Sequence, residues 1–273
     1  MTTGLTDIGA NLLHGQFDDD RDAVLTRARQ AGIERLLVTA TDLDVAEAST
    51  AFVRAARARA DWPRLYTTAG VHPHDAGTVP ADWTATLSGL LNDDSVVAVG
   101  ETGLDYHRNF SPRDIQRQVF DSHVAMACER QLPLFVHDRD SRGEVLEILA
   151  RHAPDPAHVV IHCFTGGRED LDAYLEAGYF IGITGWVCDR RRGGSLRELV
   201  PAIPMNRLLI ETDAPFLLPH DLPPDVLAPP RGRRNEPHFL PAIVTRLAEL
   251  LDVDVCTLTE QTTSNAVRCF NLA

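Results

Sequence analysis

The chain has 273 residues, of which 44% are hydrophobic and 24% charged, as is typical of a soluble globular protein with one large core. Its formal net charge of −13 argues against non-specific binding to polyanions over the whole surface. All 26 basic residues are arginine, and the absence of lysine excludes Schiff-base chemistry, a Walker P-loop and a carbamylated lysine between two metals.

The start of the chain, MTTGLTDIGA, lacks the basic and apolar regions of an export signal. No apolar run reaches the roughly 20 residues that span a bilayer, so we expect a cytoplasmic protein that does not enter membranes. The five cysteines are scattered and form no CxxC pair, which disfavours a disulfide framework and a zinc knuckle. We expect reduced thiols, most of them buried.

Eight short apolar runs rich in β-branched residues recur along the chain, and nearly continuous hydrophobicity of this kind indicates strands buried on both faces. The predicted strands are Leu5–Leu12, Ile33–Ala40, Leu65–Val71, Val96–Leu104, Leu132–Asp138, His158–Thr165, Tyr179–Gly185 and Arg207–Asp213. Amphipathic helical patterns separate most of them. Strands that alternate with helices predict an α/β protein with a single TIM (β/α)₈ barrel domain over residues 1–273. An open doubly wound sheet is the alternative, and the lack of a GxGxxG motif after the first strand weakens it.

The clearest predicted helix is Ser111–Gln131, with Ser111 as the N-cap and Pro112 at the first helical position. We expect its inward stripe to consist of Ile115, Val119, Ser122 and Met126. Two further helices are predicted between His238 and Phe270, where they complete the outer ring of the barrel.

Residues that can bind metal or transfer protons fall at the predicted carboxyl ends of the strands, where TIM barrels carry their active sites. They are Asp7, His72, His74, Glu101, His137, His162 and Asp213. Each of them alone is compatible with a structural role. Charged groups in apolar surroundings are costly unless paired or ligated, so the expected convergence of Glu101, His137, His162 and Asp213 predicts a metal centre.

Two imidazoles and two carboxylates suit Zn²⁺, Mn²⁺, Co²⁺ or a partly hydrated Mg²⁺. A bridging carboxylate can hold two ions about 3.5–4 Å apart, an arrangement that stabilises the attacking and leaving oxygens of phosphoryl transfer.

The loops after the last two predicted strands carry arginines, and barrels often bind phosphate there. From these loops and the GVHPHD loop we predict substrate contacts by His72, His74, Arg190, Arg191, Arg192, Arg233 and Arg234. Solvated surface charge is the alternative for the arginines, and a structural role is the alternative for the two histidines. Trp186, Phe216 and Tyr106 are candidates for stacking on a terminal base.

Several long motifs resemble the TatD family of metal-dependent deoxyribonucleases, from Asp7 to nearly the end of the chain. They are DIGANL, GVHPHD, GETGLDYHRNFS, FVHDRD, IHCFTG, IGITGWVCDRRRG, LLIETDAPFLLP and RRNEP. The resemblance implies a TIM barrel, a divalent metal that is usually Mg²⁺, 3′–5′ exonuclease action on single-stranded DNA or RNA, and a suggested part in DNA repair.

By position, Glu101, His137 and His162 match the family's metal ligands, with Glu101 as the bridge. Asp213 matches its aspartate that serves as ligand and general base. Most members carry a His-x-His pair in the first strand, where this chain has Gly9 and Asn11. We therefore expect one tight metal site at Glu101, His137 and His162. The other site should be weaker and rest on Glu101, Asp213 and waters, with Asn11 or Asp7 as further contacts.

The leading hypothesis is a monomeric metal-dependent exonuclease in which Glu101 and Asp213 are the catalytic residues. Mg²⁺ is the expected metal, and Mn²⁺ and Zn²⁺ are alternatives. Because the same metals polarise carbonyl groups, hydrolysis of amides or esters, such as deacylation of D-aminoacyl-tRNA, is a second hypothesis. A barrel that acts only as a binding scaffold is a third, and the set of converging charges argues against it.

Overall fold

Eight parallel strands pair in chain order in the computed structural model, which describes residues 4–152, 155–220 and 234–273. They are β1 (Leu5–Ala10), β2 (Ile33–Val38), β3 (Arg64–Ala69), β4 (Val96–Asp105), β5 (Leu134–Arg139), β6 (Val159–His162), β7 (Phe180–Ile183) and β8 (Leu208–Ile210). All eight coincide with the predicted runs. Most predicted runs extend past the observed carboxyl ends, because there the chain leaves the sheet and turns into the loops of the site.

The sheet closes where the segment after β8 returns to β1. Ala10 and Ala214 form a parallel bridge. The Asp213 N–H donates to the Gly9 carbonyl at 2.8 Å and the Asn11 N–H to the Ala214 carbonyl at 2.7 Å. The predicted TIM barrel is therefore confirmed.

Helices surround the barrel. The α-helices are α1 (Arg21–Gln30), α2 (Leu43–Ala56), α3 (Trp83–Leu90), α4 (Arg113–Arg130), α5 (Glu144–Leu149), α6 (Arg168–Glu176), α7 (Gly194–Leu199), α8 (Leu240–Leu251) and α9 (Val255–Phe270). Short 3₁₀ turns span Gly15–Phe17, Ala76–Thr78, Gly185–Cys188, Val200–Ala202, Met205–Arg207 and Pro237–Phe239. Helices α8 and α9 are the two predicted at the end of the chain.

The start of α4 differs from its prediction. Pro112 is the N-cap, and Ser111 does not cap the helix. Its hydroxyl instead accepts the Gly77 N–H at 2.8 Å and donates to the His74 carbonyl at 2.7 Å. Ser111 therefore joins α4 to the loop after β3.

The inward face of α4 is also rotated from the predicted stripe. Of the predicted stripe only Val119 is buried, and the other buried positions are Gln116, Phe120, His123, Val124, Ala127 and Cys128. Ile115 and Met126 are partly buried and pack against the core beside this face. The prediction misplaced the centre of the face because polar groups such as His123 are buried with hydrogen-bond partners, which an apolar pattern does not reveal.

The barrel interior is filled by apolar side chains from the strands and closed at its amino-terminal end by α9. The interior cluster includes Ile8, Leu37, Tyr66, Val97, Phe135, Val160, Phe180 and Leu209, one from each strand, together with Cys269, Phe270 and Leu272. The Tyr66 hydroxyl donates to the Ala273 carbonyl at 2.8 Å. The apolar interior therefore packs against α9 at this end, and the candidate ligands lie at the carboxyl ends of the strands.

Among the described helices, none has both the length and the apolar character needed to cross a bilayer.

Candidate metal centre

A pocket of about 360 Å³ opens at the carboxyl ends of the strands. The four predicted metal ligands all line it: Glu101, His137, His162 and Asp213. His72, His74 and Asn11 line the same pocket. The structure therefore brings these side chains together as expected, and metal binding by them stays a prediction.

Glu101 lies at the centre of the pocket, buried in β4. Its Oε1 is 3.1 Å from His137 Nδ1, 3.4 Å from His72 Nε2 and 3.5 Å from His162 Nε2. Burial opposes ionisation, but His162, His72 and His137 outweigh it and hold the pKa of Glu101 well below its usual value. Glu101 is thus a buried carboxylate surrounded by imidazoles, in a group of side chains that could hold a metal ion.

His72 belongs to this cluster more closely than the sequence indicated. Burial lowers the pKa of its imidazole, and the neighbouring Glu101 only partly opposes this effect. The ligand atom of His72 lies within 4.8 Å of those of Glu101 and His137. We therefore regard His72 as a candidate metal ligand, whereas the sequence predicted a substrate contact.

His137 and His162 are register partners on β5 and β6, so both imidazoles enter the pocket at one level. Burial lowers the pKa of His137, but the carboxylates of Asp105 and Glu101 raise it to about 9 overall. His137 Nε2 is 3.4 Å from Asp105 Oδ2, yet it is buried with no hydrogen bond. An unsatisfied buried nitrogen is costly, and a bound metal ion is one way to satisfy it.

Asp105 is a site residue that the sequence analysis missed. It ends β4, and its Oδ2 hydrogen-bonds His74 Nε2 at 2.7 Å while its Oδ1 accepts the N–H groups of His107 and Arg108. His74 is therefore held against Asp105 at the rim of the pocket. The signal was spacing: Asp105 lies four residues after Glu101 on one extended strand, so the two share a face.

Glu211 is the second residue that was missed. It is fully buried, and its Oε2 accepts His162 Nδ1 at 2.6 Å while its Oε1 accepts the Cys163 N–H at 2.7 Å. Burial lowers the pKa of His162, but Glu211 and Glu101 raise it to about 10 overall. The available signal was its position two residues before Asp213 in the IETD motif, because alternate residues of the predicted strand share a face.

Two glycines make the space that Glu211 occupies. A Cβ at Gly9 would lie 2.6 Å from Glu211 Oε2, and a Cβ at Gly182 would lie 2.5 Å from Glu211 Oε1. The carboxylate therefore fills the room beside β1 that a side chain at position 9 would need. The departure noted at Gly9 is thus associated with a buried acid rather than with an empty space.

Asp213 follows β8 with its backbone in the left-handed region, at φ 53°. Asn11 Nδ2 donates to its Oδ1 at 2.9 Å. Burial raises the pKa of Asp213 to about 7, with His162 opposing this shift. A carboxylate with such a pKa is suited to take up a proton near neutral pH.

Asp7 does not contribute to the pocket. Its Oδ2 accepts the Thr212 hydroxyl at 2.6 Å and its Oδ1 accepts the Thr212 N–H at 3.0 Å. Burial raises its pKa to about 7. We therefore correct the prediction that Asp7 touches a second metal, because its carboxylate instead joins β1 to the end of β8. Asn11 does reach the pocket, but it holds Asp213.

The candidate ligands fall into two groups. One contains His72, Glu101 and His137, and the other His162, Cys163 and Asp213, with the ligand atoms of each group within 4.8 Å of one another. Imidazole and carboxylate donors in the first group fit a divalent metal. The sequence analysis had assigned His162 to the tight site, and it did not include Cys163 in either site.

The predicted arginine contacts differ in their surroundings. Arg190, Arg191 and Arg192 are exposed in the loop after β7. The Arg192 guanidinium binds Asp189 at 2.9 Å and lies over Trp186, 4.5 Å from the ring centroid. Trp186 lines the metal pocket, so this loop borders the site.

The two predicted arginine contacts in the loop after β8 are Arg233 and Arg234. Arg233 lies outside the described residues. Arg234 is buried and bonded to Asp20 at 2.9 Å and to Glu236 at 2.5 Å. We correct the prediction that Arg234 contacts substrate, because a buried guanidinium held by two carboxylates stabilises the chain itself.

Known proteins are similar to this chain over nearly all of its length. The family model described as TatD related DNase matches residues 6–271. A protein of Erwinia amylovora named 3′-5′ ssDNA/RNA exonuclease TatD is 48% identical over 266 residues, which cover 97% of this chain and 99% of that protein. The protein of the same name from Erwinia tasmaniensis is 47% identical with the same coverage. A solved TatD homologue from Escherichia coli superposes with a TM-score of 0.87 at 26% identity and covers 100% of both chains.

Proposed function

The chain belongs to the family of TatD-related DNases and is a hydrolytic nuclease, and we propose that it shortens single-stranded DNA or RNA from the 3′ end with a divalent metal. The names of relatives that match nearly the whole chain support the polarity and the substrate. They favour a nuclease over the two alternatives, hydrolysis of amides or carboxylic esters and a scaffold without catalysis.

The observation that carries the proposal is the environment of Glu101. Three imidazole nitrogens lie within 3.5 Å of one of its oxygens. A buried carboxylate among imidazoles with no other apparent function is a typical metal-binding arrangement. When bound, the metal would supply positive charge that stabilises the phosphoryl oxygens and the leaving oxygen.

We assign the proton transfer to Asp213. Its raised pKa allows it to take a proton from the attacking water near neutral pH. Asn11 donates to one oxygen of the carboxylate and so fixes its orientation. Glu211 orients His162 from the opposite side of the ring.

The metal and the setting belong to the same proposal. We favour Mg²⁺ for hydrolysis because carboxylate and amide oxygens contribute to the pocket, and hard cations prefer oxygen ligands. Mn²⁺ and Zn²⁺ are the alternatives. We also propose a cytoplasmic monomer with a part in DNA repair.

The test is digestion of a 5′-labelled single strand by the purified protein with Mg²⁺. A ladder of shortened labelled products supports 3′–5′ action, whereas release of labelled mononucleotide at once indicates the opposite polarity. Glu101→Gln keeps the shape of the side chain and removes its charge. We expect the nuclease activity of this variant to fall further than the roughly 10–100-fold that follows loss of a residue that only orients a metal ligand.

Glu249→Gln, at a largely exposed position on α8, is the matched control and is expected to keep wild-type activity. A chelator should abolish the ladder in the wild type. Full activity of Glu101→Gln, or of metal-free enzyme, would contradict the proposed metal centre.

A further inference from the structure

Cys163 and its neighbour His162 both line the metal pocket. Along an extended strand, successive side chains point to opposite faces. β6 ends at His162, and Cys163 has a left-handed backbone at φ 46°, a conformation uncommon for residues other than glycine. This turn allows both side chains to line the pocket.

The backbone around Cys163 is fixed by hydrogen bonds. Its N–H donates to Glu211 Oε1 at 2.7 Å, and the next N–H, of Phe164, donates to the Gly182 carbonyl at 3.0 Å. The Sγ lies 3.7 Å from Thr184 Oγ1. The thiol is thus half-buried and held in one place beside His162 and Asp213.

The group of His162, Cys163 and Asp213 offers other donor atoms than the group of His72, Glu101 and His137. It offers an imidazole nitrogen, a carboxylate oxygen and a sulfur, whereas the first group has no sulfur. Thiolate and imidazole ligands select Zn²⁺ and similar thiophilic cations, and Mg²⁺ prefers oxygen. Burial and the negative charge of Asp213 and Glu211 raise the pKa of the Cys163 thiol well above its usual value. The same negative charge attracts a divalent cation, whose bond to sulfur favours loss of the proton.

We propose that His162, Cys163 and Asp213 bind a thiophilic divalent cation such as Zn²⁺, with the Cys163 thiolate as a direct ligand. As the metal–sulfur bond forms, the thiol releases its proton to solvent, and no electron is transferred. Such a cation competes with Mg²⁺ for His162 and Asp213. The inference rests on the metal centre of the proposed function, and its test therefore reads metal–sulfur bonding rather than hydrolysis.

The other thiols provide controls. Cys128, Cys188 and Cys269 are buried, and Cys256 is exposed on α9 with its Sγ 3.7 Å from Glu260 Oε1. Within the described parts of the chain, neither group of three potential ligands contains any of these four cysteines.

The experiment is titration of the metal-free protein with Co²⁺, followed by ultraviolet absorption, because a Co²⁺–thiolate bond gives a charge-transfer band. We expect the band in the wild type and in Cys256→Ser, and its loss in Cys163→Ser. Zn²⁺ should remove the wild-type band by displacing Co²⁺, and a large excess of Mg²⁺ should leave most of it. A wild type without the band, or a band that persists in Cys163→Ser, overturns the proposal.

A second measurement needs no variant and so does not depend on the folding of Cys163→Ser. Wild-type protein is treated with iodoacetamide with and without Zn²⁺, and alkylation of each cysteine is mapped by mass spectrometry. Zn²⁺ should protect Cys163 and leave Cys256 reactive. Alkylation of Cys163 in the metal-free sample that Zn²⁺ does not reduce overturns the proposal. If the protein binds Co²⁺ through sulfur but produces no nucleotide ladder, the proposed nuclease activity fails and this inference stands.

Discussion

A fully buried carboxylate is stable only if its oxygens are hydrogen-bonded, and Glu211 meets this condition with two different donors. One oxygen accepts His162 Nδ1 and the other the Cys163 N–H. A histidine held in this way presents its other nitrogen to a metal in a fixed direction and with raised basicity. Glu211 therefore acts through His162 and is a positioning residue.

Replacement of Glu211 by Gln should weaken metal binding. Gln has nearly the same shape, but it offers one acceptor oxygen and an NH₂ group, so one of the two donors loses its partner. We expect affinity for Mn²⁺, measured by calorimetric titration, to fall by roughly 10–100-fold.

Asp7→Asn is the matched control for this prediction. Asp7 is equally buried and accepts hydrogen bonds from the Thr212 hydroxyl and from the N–H groups of Thr212 and Gly9, but it does not line the metal pocket. We expect this variant to lose thermal stability and to keep its affinity for Mn²⁺. Equal loss of affinity in both variants would show that Glu211 acts only through general stability.

The sequence analysis predicted the candidate metal ligands but missed the residues that orient them. Glu101, His137, His162 and Asp213 lie in one pocket as predicted, because the carboxyl ends of barrel strands meet at one face. Asp105 and Glu211 were missed since a residue that orients a ligand needs no motif of its own. Their contacts depend on register between distant strands, which spacing along the chain does not fix.

At the scale of elements, α4 supports the loop that carries His72. His123 on this helix is fully buried, and its Nε2 accepts the Val71 N–H at 3.0 Å while its Nδ1 hydrogen-bonds the Val119 carbonyl at 2.7 Å. Only a neutral imidazole with its proton on Nδ1 can make both bonds. Its ring also stacks on Trp83 with a centroid distance of 4.9 Å.

This arrangement predicts how stability depends on pH. Burial lowers the pKa of His123 from 6.5 to about 4, so the unfolded chain takes up a proton at a pH where the folded chain does not. The contribution of the neutral imidazole is therefore complete above pH ~6.5 and is lost as the pH falls toward ~4, by about 3 kcal/mol in all.

Urea unfolding of the wild type and His123→Gln at several pH values checks this prediction. Gln does not titrate, so the variant should be less stable than the wild type at neutral pH by about 1–3 kcal/mol, and the difference should narrow as the pH falls. The exposed His107→Gln variant should follow the wild-type curve. A constant difference between wild type and His123→Gln would contradict the assigned role of His123.

The elements themselves were predicted to different degrees. All eight strands were located, because strands buried on both faces leave continuous apolar runs. The inward face of α4 was not predicted correctly, because it buries Gln116 and His123. The polar atoms of both side chains have hydrogen-bond partners inside the protein. The periodicity of apolar residues reveals buried apolar side chains, but it does not reveal buried polar side chains that are hydrogen-bonded.

At the scale of the whole molecule, the question is how a chain with a net charge of −13 binds a polyanion. Surface charges more than about 8 Å away are screened at physiological salt, so the charges at the mouth of the pocket decide binding. A second pocket of about 650 Å³ shares Arg139 and Trp186 with the metal pocket. Its charged lining residues are Arg113, Arg139, Arg142 and Arg192 together with Asp138, Asp140 and Asp170. The two pockets adjoin each other beside the loop after β7, and we call them together the groove.

Removal of the three arginines of this loop, Arg190, Arg191 and Arg192, tests whether the groove binds nucleic acid. If they contact phosphates, their replacement by Ala should raise KM for a single-stranded oligonucleotide. Each lost contact should reduce the slope of log K against log salt by roughly 0.7, because fewer counterions are released on binding. Hydrolysis of bis-p-nitrophenyl phosphate, which has a single phosphate and no further nucleotides to contact the loop, should change much less.

The matched control replaces Arg57, Arg59 and Arg64 with Ala, which removes the same positive charge from the opposite end of the barrel. These residues line a separate pocket near the start of β3. We expect the control to keep the wild-type KM and salt dependence, since charge at that distance is screened. Equal changes in both triple variants would mean that net charge alone governs binding. Equal loss on the oligonucleotide and the small ester would place the effect of the loop in folding or metal binding, because a phosphate contact distant from the cleaved bond acts only on the longer substrate.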